Sequence, residues 1–361
     1  MKNYFIITLL LFSVYFTQAQ IINFPDANFK NALINTNCYD YFGSSLPDSD
    51  IDFNDDGEID VSEAIQVDNL HLDDRNIESL EGIEYFTNLE LLYCKDNYIQ
   101  SLDFSTMPNF KTLRCRNNEI SSINITQNIE LEVIVLSSNE LTDLDTSQNI
   151  NLKEIWASNN SITSVDVTNN VNLEALLLWN NDLSSIDVSN NPLLREFTID
   201  MNDLITSIDV SNNPVLYLID CSSNDNLSYL NLRNGNQTGL IFVDARDNTN
   251  LFCIEVDDVD YANSQGSWQK ENWTSYEEEC FLGVNQSGFL ESISIYPNPV
   301  QNNLKINTDF PIDYIKIYTL QGQLINETKN KQIDVSLLSS GLYFASITID
   351  GKNSIKKFIK I

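Results

Sequence analysis

Apolar residues along the middle of the chain return with a period close to 21. Asparagines stand at Asn97, Asn118, Asn139, Asn160, Asn181, Asn202, Asn224 and Asn248, spaced by 21 residues five times, then 22, then 24. Eight residues before each lies Leu89, Phe110, Leu131, Leu152, Leu173, Leu194, Leu216 or Leu240. Five before lies Leu92, Leu113, Ile134, Ile155, Leu176, Phe197, Ile219 or Val243, and three before lies Cys94, Cys115, Leu136, Ala157, Leu178, Ile199, Cys221 or Ala245. Apolar positions two apart face the same side of a strand. Each unit therefore predicts a short strand whose apolar face only a neighbouring unit covers, so the units stack around one core. The asparagine falls where the chain leaves the strand, and its amide satisfies backbone groups that the turn strands inside.

A second alternation marks a return path: Leu102-Asp-Phe104, Ile123-Asn-Ile125, Val165-Asp-Val167, Ile186-Asp-Val188, Ile208-Asp-Val210 and Leu230-Asn-Leu232. Each predicts a short strand with its apolar face inward, and the turn-forming run Asp-Val-Ser/Thr-Asn-Asn follows in three copies. A 21-residue unit has no room for a full helix, so a mostly β solenoid is predicted over residues 67–254. A degenerate leading copy holds Leu70, Leu72 and Ile77, with Arg75 where the asparagine belongs.

The spacing resembles the leucine-rich-repeat pattern, internalin-like in layout, of secreted Bacteroidetes proteins. That resemblance implies a leucine-rich-repeat solenoid with a small helical N-terminal cap and a binding or adhesive role. The tail resembles a second family. It reads Ile293-Ser-Ile295-Tyr296-Pro297-Asn298-Pro299-Val300, then Ile315-Lys-Ile317-Tyr318 and Gly322, then Gly341-Leu342-Tyr343-Phe344, and ends Lys356-Lys-Phe358-Ile359-Lys360-Ile361. This is similar to the C-terminal sorting domain of the type IX secretion system, which implies outer-membrane passage and then release or surface attachment. Independently, period-two strands broken by glycine turns predict a small β-sandwich over residues 293–361.

Lys2, the apolar run Tyr4 to Phe16 and the small residues before Gln20 predict a signal peptide over residues 1–19. No other candidate span is present, so the mature chain is expected to carry no transmembrane segment. Residues 20–66 form a predicted N-terminal cap, residues 255–282 a C-terminal cap and residues 283–292 a linker. In the front cap, Asp26 is a helix N-cap candidate, and Phe29, Ala32 and Leu33 line one helix face. Between Asp52 and Glu63 the chain matches the EF-hand-like calcium loop. Asp52, Asn54 and Asp56 supply alternate oxygens, Gly57 the turn, Glu58 its carbonyl, Asp60 a water-mediated contact and Glu63 a bidentate carboxylate. A structural Ca²⁺ is expected there, and an acidic solvated loop is the alternative.

Charge then narrows the partners. The chain of 361 residues has a formal net charge of -32, which argues against nucleic acid and other polyanions. Residues 21–63 hold 10 acids and one base, whereas residues 293–361 hold 5 acids and 8 bases. The tail therefore reads as a separate module. The single histidine, His71, makes histidine catalysis and His-rich zinc sites poor guesses. Export exposes six cysteines to oxidising surroundings. Cys253 and Cys280 bracket the end of the array and form the expected disulfide. Cys94, Cys115 and Cys221 occupy core positions and read as buried thiols; a ladder disulfide between Cys94 and Cys115 is geometrically demanding. Cys38 has no obvious partner.

The outward strand positions, on the expected concave face, bring Val133, Val135, Trp156, Leu177 and Trp179 onto neighbouring turns. Arg114 and Arg116 form a basic edge, and Asp200, Asp220 and Asp244 an acidic one. An apolar patch with tryptophan anchors predicts a site for an extracellular protein or polysaccharide. The leading reading is thus a non-enzymatic recognition or adhesion protein, secreted or attached to the outer cell surface. The alternatives are a structural surface or matrix component and, less favoured, a hydrolase using Glu154 and Glu196 two turns apart.

Overall fold

The computed structural model describes residues 20–40, 49–280, 293–308, 310–320, 323–349 and 352–361. The signal-peptide and linker assignments lie outside the described residues. The chain divides into two units, Met1–Cys280 and Phe281–Ile361.

In the first unit, ten short strands hydrogen-bond in chain order into one parallel sheet, from Asn69–His71 through Leu91–Tyr93 and Thr112–Arg114 to Trp268–Lys270. The register is constant. Val135 pairs with Trp156, Trp156 with Leu177 and Leu177 with Thr198. The inward residue is fully buried in nine of the ten strands: Leu70, Leu92, Leu113, Ile134, Ile155, Leu176, Phe197, Ile219 and Val243. Burial of side chains of this size stabilises by about 1.5–3 kcal/mol each, but only where the next turn supplies the other wall.

The return segments also pair. Ser101–Asp103 lies parallel to Ser122–Asn124, Leu144 bridges to Val165, and Ser207–Asp209, Tyr229–Asn231, Cys253–Glu255 and Ser275–Glu277 form a four-stranded parallel sheet. This corrects the expected architecture. Each turn coils between two walls of parallel strand, so the unit is a β-solenoid and not a leucine-rich-repeat horseshoe. The reason lies in the period: after one strand and its turn, a 21-residue unit has length for a second short strand and for little else. Among the described residues the α-helices are three and short: α1 Ala27–Asn35, α2 Val61–Ala64 and α3 Val259–Ser264.

Two asparagine ladders hold the turns in register. In the first, the side chain reaches both its own turn and the one before. Asn118 Nδ2 donates to Cys94 O at 2.9 Å and Cys115 O at 3.2 Å, and its Oδ1 accepts from Ile99 N at 3.0 Å. The preceding residue takes a left-handed conformation in every copy, from Asp96 at φ 59° to Asp247 at φ 57°. The second ladder, which the period analysis did not isolate, runs through Asn128, Asn149, Asn170, Asn191 and Asn213 on the return side, all fully buried. Asn191 Nδ2, for example, donates to Val167 O at 3.0 Å and Asn170 O at 2.8 Å. Both ladders answer one need, which is to pair the backbone groups that tight turns leave inside.

The array is closed at its ends. Asp26 Oδ1 caps α1 by accepting from Asn28 N and Phe29 N, while Oδ2 accepts from Glu78 N at 2.7 Å and Ser79 N at 3.0 Å in the first turn. Phe29, Ala32 and Leu33 are buried, as the spacing predicts. At the far end, Trp268–Lys270 and Ser275–Glu277 extend the two walls by one more turn. A disulfide joins Cys253 to Cys280, with a Cα–Cα distance of 6.0 Å. A second joins Cys94 to Cys115, with Cα atoms 4.7 Å apart. The buried-thiol reading of that pair is therefore replaced: adjacent turns in register bring equivalent positions within disulfide reach. Cys38 and Cys221 are free and buried.

The second unit contains two antiparallel sheets. Ser294–Tyr296, Asn303–Asn307 and Gln332–Asp334 make one, and Leu324–Thr328, Tyr314–Thr319, Gly341–Ile349 and Lys352–Lys360 make the other. The expected small β-sandwich is corrected as well. Val300, between the first two strands, bridges in parallel to Lys360, and Ile361 N donates to Val300 O at 2.9 Å; with one shared core, the two sheets make a multi-sheet unit.

Candidate functional site

The open face of the ten-stranded sheet carries the predicted outward residues. Val135, Trp156, Leu177 and Thr198 follow one another across four turns in direct register, with Val133 one row below and Trp179 just past its strand. Neighbouring strands are about 4.8 Å apart, so the row is continuous. Arg114 opens it. Its guanidinium lies 5.9 Å from the Trp156 ring centroid and 4.0 Å from Glu154. That arm crosses the row occupied by Val135, which is only 5% exposed. Val135 thus supports the patch from beneath, while Val133, Trp156, Leu177 and Trp179 remain partly exposed. Arg116 sits one strand-length further on, past the Thr112–Arg114 strand.

Polar atoms within the patch lack partners. Trp156 Nε1, Ser158 Oγ and Thr198 Oγ1 are enclosed and make no hydrogen bond. Such groups ordinarily find one; the first two share one turn and the third lies two turns on, all beneath the exposed surface of the patch. On the far side, Asp244 is buried and held by Arg246, and Asp220 accepts from Ser222 N and Oγ. Burial, with Asp220 and Asp244 nearby, pushes Asp200 up to about 6.

One margin of this face escaped the period analysis. Seven residues before successive asparagines stand Glu90, Lys111, Glu132, Lys153, Glu174 and Arg195, an alternating charge column. Lys111 meets Glu90 at 2.7 Å and Lys153 meets Glu132 at 2.6 Å. The alternation is readable in the sequence once that column is tabulated. Glu154 and Glu196 each face Ala175 in register, two turns apart. Arg114 engages the first, and the Tyr217 hydroxyl donates to the second. His71 is half-buried and stacked on Tyr93 at 4.8 Å; burial draws its pKa down against the opposing charges of Asp73 and Asp40.

The front-cap loop folds around its own carboxylates. Asp52 accepts from Asp56 N at 3.1 Å and Gly57 N at 2.8 Å, Asn54 accepts from Asp56 N, and Asp56 accepts from Glu58 N. Gly57 takes φ 80°, a conformation that disfavours a side chain. Asp60 caps α2 and forms a capping box with Glu63. The Glu58 side chain turns away to Lys30 at 2.6 Å, leaving only its carbonyl for the loop. Among the described residues, no three His, Cys, Asp or Glu side chains are already gathered as a metal-binding group.

Comparison with known proteins bears on the tail most directly. Residues 294–361 match the family model of the secretion system C-terminal sorting domain. The protein is accordingly secreted or attached to the cell surface. No helix among the described residues is long and apolar enough to cross a membrane. No curated protein matches the chain. Among solved structures, internalin C2 of Listeria monocytogenes is 20% identical, covering 57% of this chain and 99% of its own, with a TM-score of 0.37. The functional domain of InlJ from the same organism, described as including a cysteine ladder, is 17% identical over 95% of this chain and 99% of its own, with a TM-score of 0.25. Internalin inlF of that organism is 18% identical over 72% of this chain and 99% of its own, with a TM-score of 0.33. Likenesses of this size carry no conclusion about fold or function.

Proposed function

We propose that the protein is a non-enzymatic recognition or adhesion protein whose extracellular partner, a protein or a polysaccharide, binds the open face of the ten-stranded sheet. The observation that carries this reading is the row of partly exposed Trp156, Leu177 and Trp179 on two neighbouring turns, with the Arg114 guanidinium 5.9 Å from the Trp156 ring. An aromatic and apolar platform with a guanidinium at its edge suits a partner that offers both an apolar face and polar substituents. Arg114 frames the platform at one end and Asp200 at the other, so a bound partner meets opposite charges along one axis.

The test is a binding screen of the secreted protein against polysaccharides, glycans and cell-surface proteins, run beside a Trp156→Ala, Trp179→Ala double variant. A ligand bound by the parent and lost by at least about tenfold in the variant supports the site, since a central tryptophan anchor is worth 2 kcal/mol or more. A ligand bound equally by both removes the sheet face from the account. Sugar binding leaves affinity insensitive to salt, whereas a protein partner adds dependence on Arg114 and Arg116.

A further inference from the structure

We propose that the loop from Asp52 to Glu63 binds one Ca²⁺ ion and that this ion braces the N-terminal cap by tying α1, α2 and the segment at Gln20–Ile22 together. The proposal stands apart from the reading of the sheet face and does not rest on it.

Glu63 is the deciding residue. It is 4% exposed, its Oε2 accepts from Asp60 N at 2.9 Å, and its Oε1 is enclosed without any partner. A carboxylate oxygen shut away from water and left unpaired is costly, and a cation is the partner that removes the cost. The other buried carboxylate of the loop, Asp52, is 7% exposed. Asn54, Asp56 and the Glu58 carbonyl complete an all-oxygen set at the spacing of a twelve-residue calcium loop. Hard oxygen donors in such number, with a carboxylate able to bind through both oxygens, favour Ca²⁺ over the smaller, strictly octahedral Mg²⁺.

The loop is sewn into the cap at both ends. On its entering side Ile51 is fully buried, and its N–H donates to Leu33 O of α1 at 3.0 Å. On its leaving side Ile59 is fully buried, and its carbonyl accepts from Ile22 N at 2.9 Å. Val61 N donates to Gln20 O at 3.0 Å, and Asp60 bridges to Ile21. An ion held between Asp52 and Glu63 therefore ties α1, α2 and the segment at Gln20–Ile22 together. A protein exported into calcium-containing surroundings would complete its cap there.

The test uses the full secreted chain, stripped with chelator and titrated with CaCl₂ in a calorimeter, with protease digestion of the cap followed in parallel. One site per chain is expected, together with slower cleavage in the cap when Ca²⁺ is present. Glu63→Gln should weaken binding by at least about tenfold, and Glu63→Asp, which keeps the charge and shortens the reach, should also weaken it. Glu81→Gln, at an exposed carboxylate outside the loop, should bind as the parent does. Circular dichroism verifies that each variant is folded; if Glu63→Gln is not, Glu63→Asp decides. Absence of heat in the parent, equal binding by the parent and the folded Glu63 variant, or equal protection by Mg²⁺ at the same concentration would overturn the proposal.

Discussion

Replacing Asn202 by alanine probes what holds successive turns of the solenoid together. Asn202 is fully buried. Its Oδ1 accepts from Leu183 N at 3.1 Å, and its Nδ2 donates to Leu178 O at 3.0 Å and Ile199 O at 3.2 Å, all in buried surroundings. Alanine leaves Leu183 N without a partner, whereas Leu178 O and Ile199 O each keep one bond, from Asn181 Nδ2 and Asn224 Nδ2. A buried group stripped of its hydrogen bond costs about 1–3 kcal/mol. The stripped amide, with two weakened acceptors and the small vacated space beside it, sets the expected loss at roughly 2–3 kcal/mol, above that of an average substitution. Urea unfolding followed by tryptophan fluorescence measures it cleanly. The four tryptophans, Trp156, Trp179, Trp268 and Trp273, all lie in the first unit, and the terminal unit is silent. Asn172→Ala serves as the control. That side chain also donates to a carbonyl of the preceding turn, Ile150 O at 3.2 Å, but at an exposed site, and its loss should stay within about 0.5 kcal/mol. Stacked units share stability chiefly with their neighbours, so the amide of Leu183 should lose exchange protection before amides several turns away. A loss below about 1 kcal/mol for Asn202→Ala, or equal losses at the two sites, would refute the reasoning.

Two further outcomes follow from the charges and crosslinks. Burial raises Asp200 to about 6, so the folded state holds that proton more tightly than the unfolded chain does; the resulting stabilisation is complete below about pH 4 and is lost as the pH rises through about 6. Asp200→Asn should therefore melt higher than the parent at pH 7.5 and show a flatter pH dependence between 4 and 7, and an unchanged slope would count against the assignment. The disulfides Cys94–Cys115 and Cys253–Cys280 close segments with sequence separations of 21 and 27, which corresponds to about 3 kcal/mol each. Full reduction, verified by mass, should lower the urea midpoint, and Cys253→Ala with Cys280→Ala should open the last turn to proteolysis first; an unchanged midpoint after reduction would contradict this.

The repeat period, the inward columns from Leu92 to Val243 and the asparagine at each corner are visible in the sequence because they are local. Each is dictated by strand alternation and by the hydrogen-bonding needs of a single turn. Asp26 as a cap, the buried face of Phe29, Ala32 and Leu33 and the basic sorting tail are legible for the same reason, and the Cys253–Cys280 pair because the two cysteines bracket the end of the array. What could not be read are the properties that arise between turns. The return strands look alike whether or not they pair, and only constant register makes them a second wall and the array a β-solenoid. Cys94 and Cys115 are 21 residues apart in the chain, and stacking alone brings their Cα atoms to 4.7 Å. Val135 reads as an exposed contact residue until Arg114, one turn back, reaches across it to Trp156. Glu63 reads as one acid among many until packing closes over Oε1 and leaves it without a partner. Periodicity along the chain determines which side of a strand a residue faces. The neighbouring turn, set by three-dimensional register, determines what that residue meets.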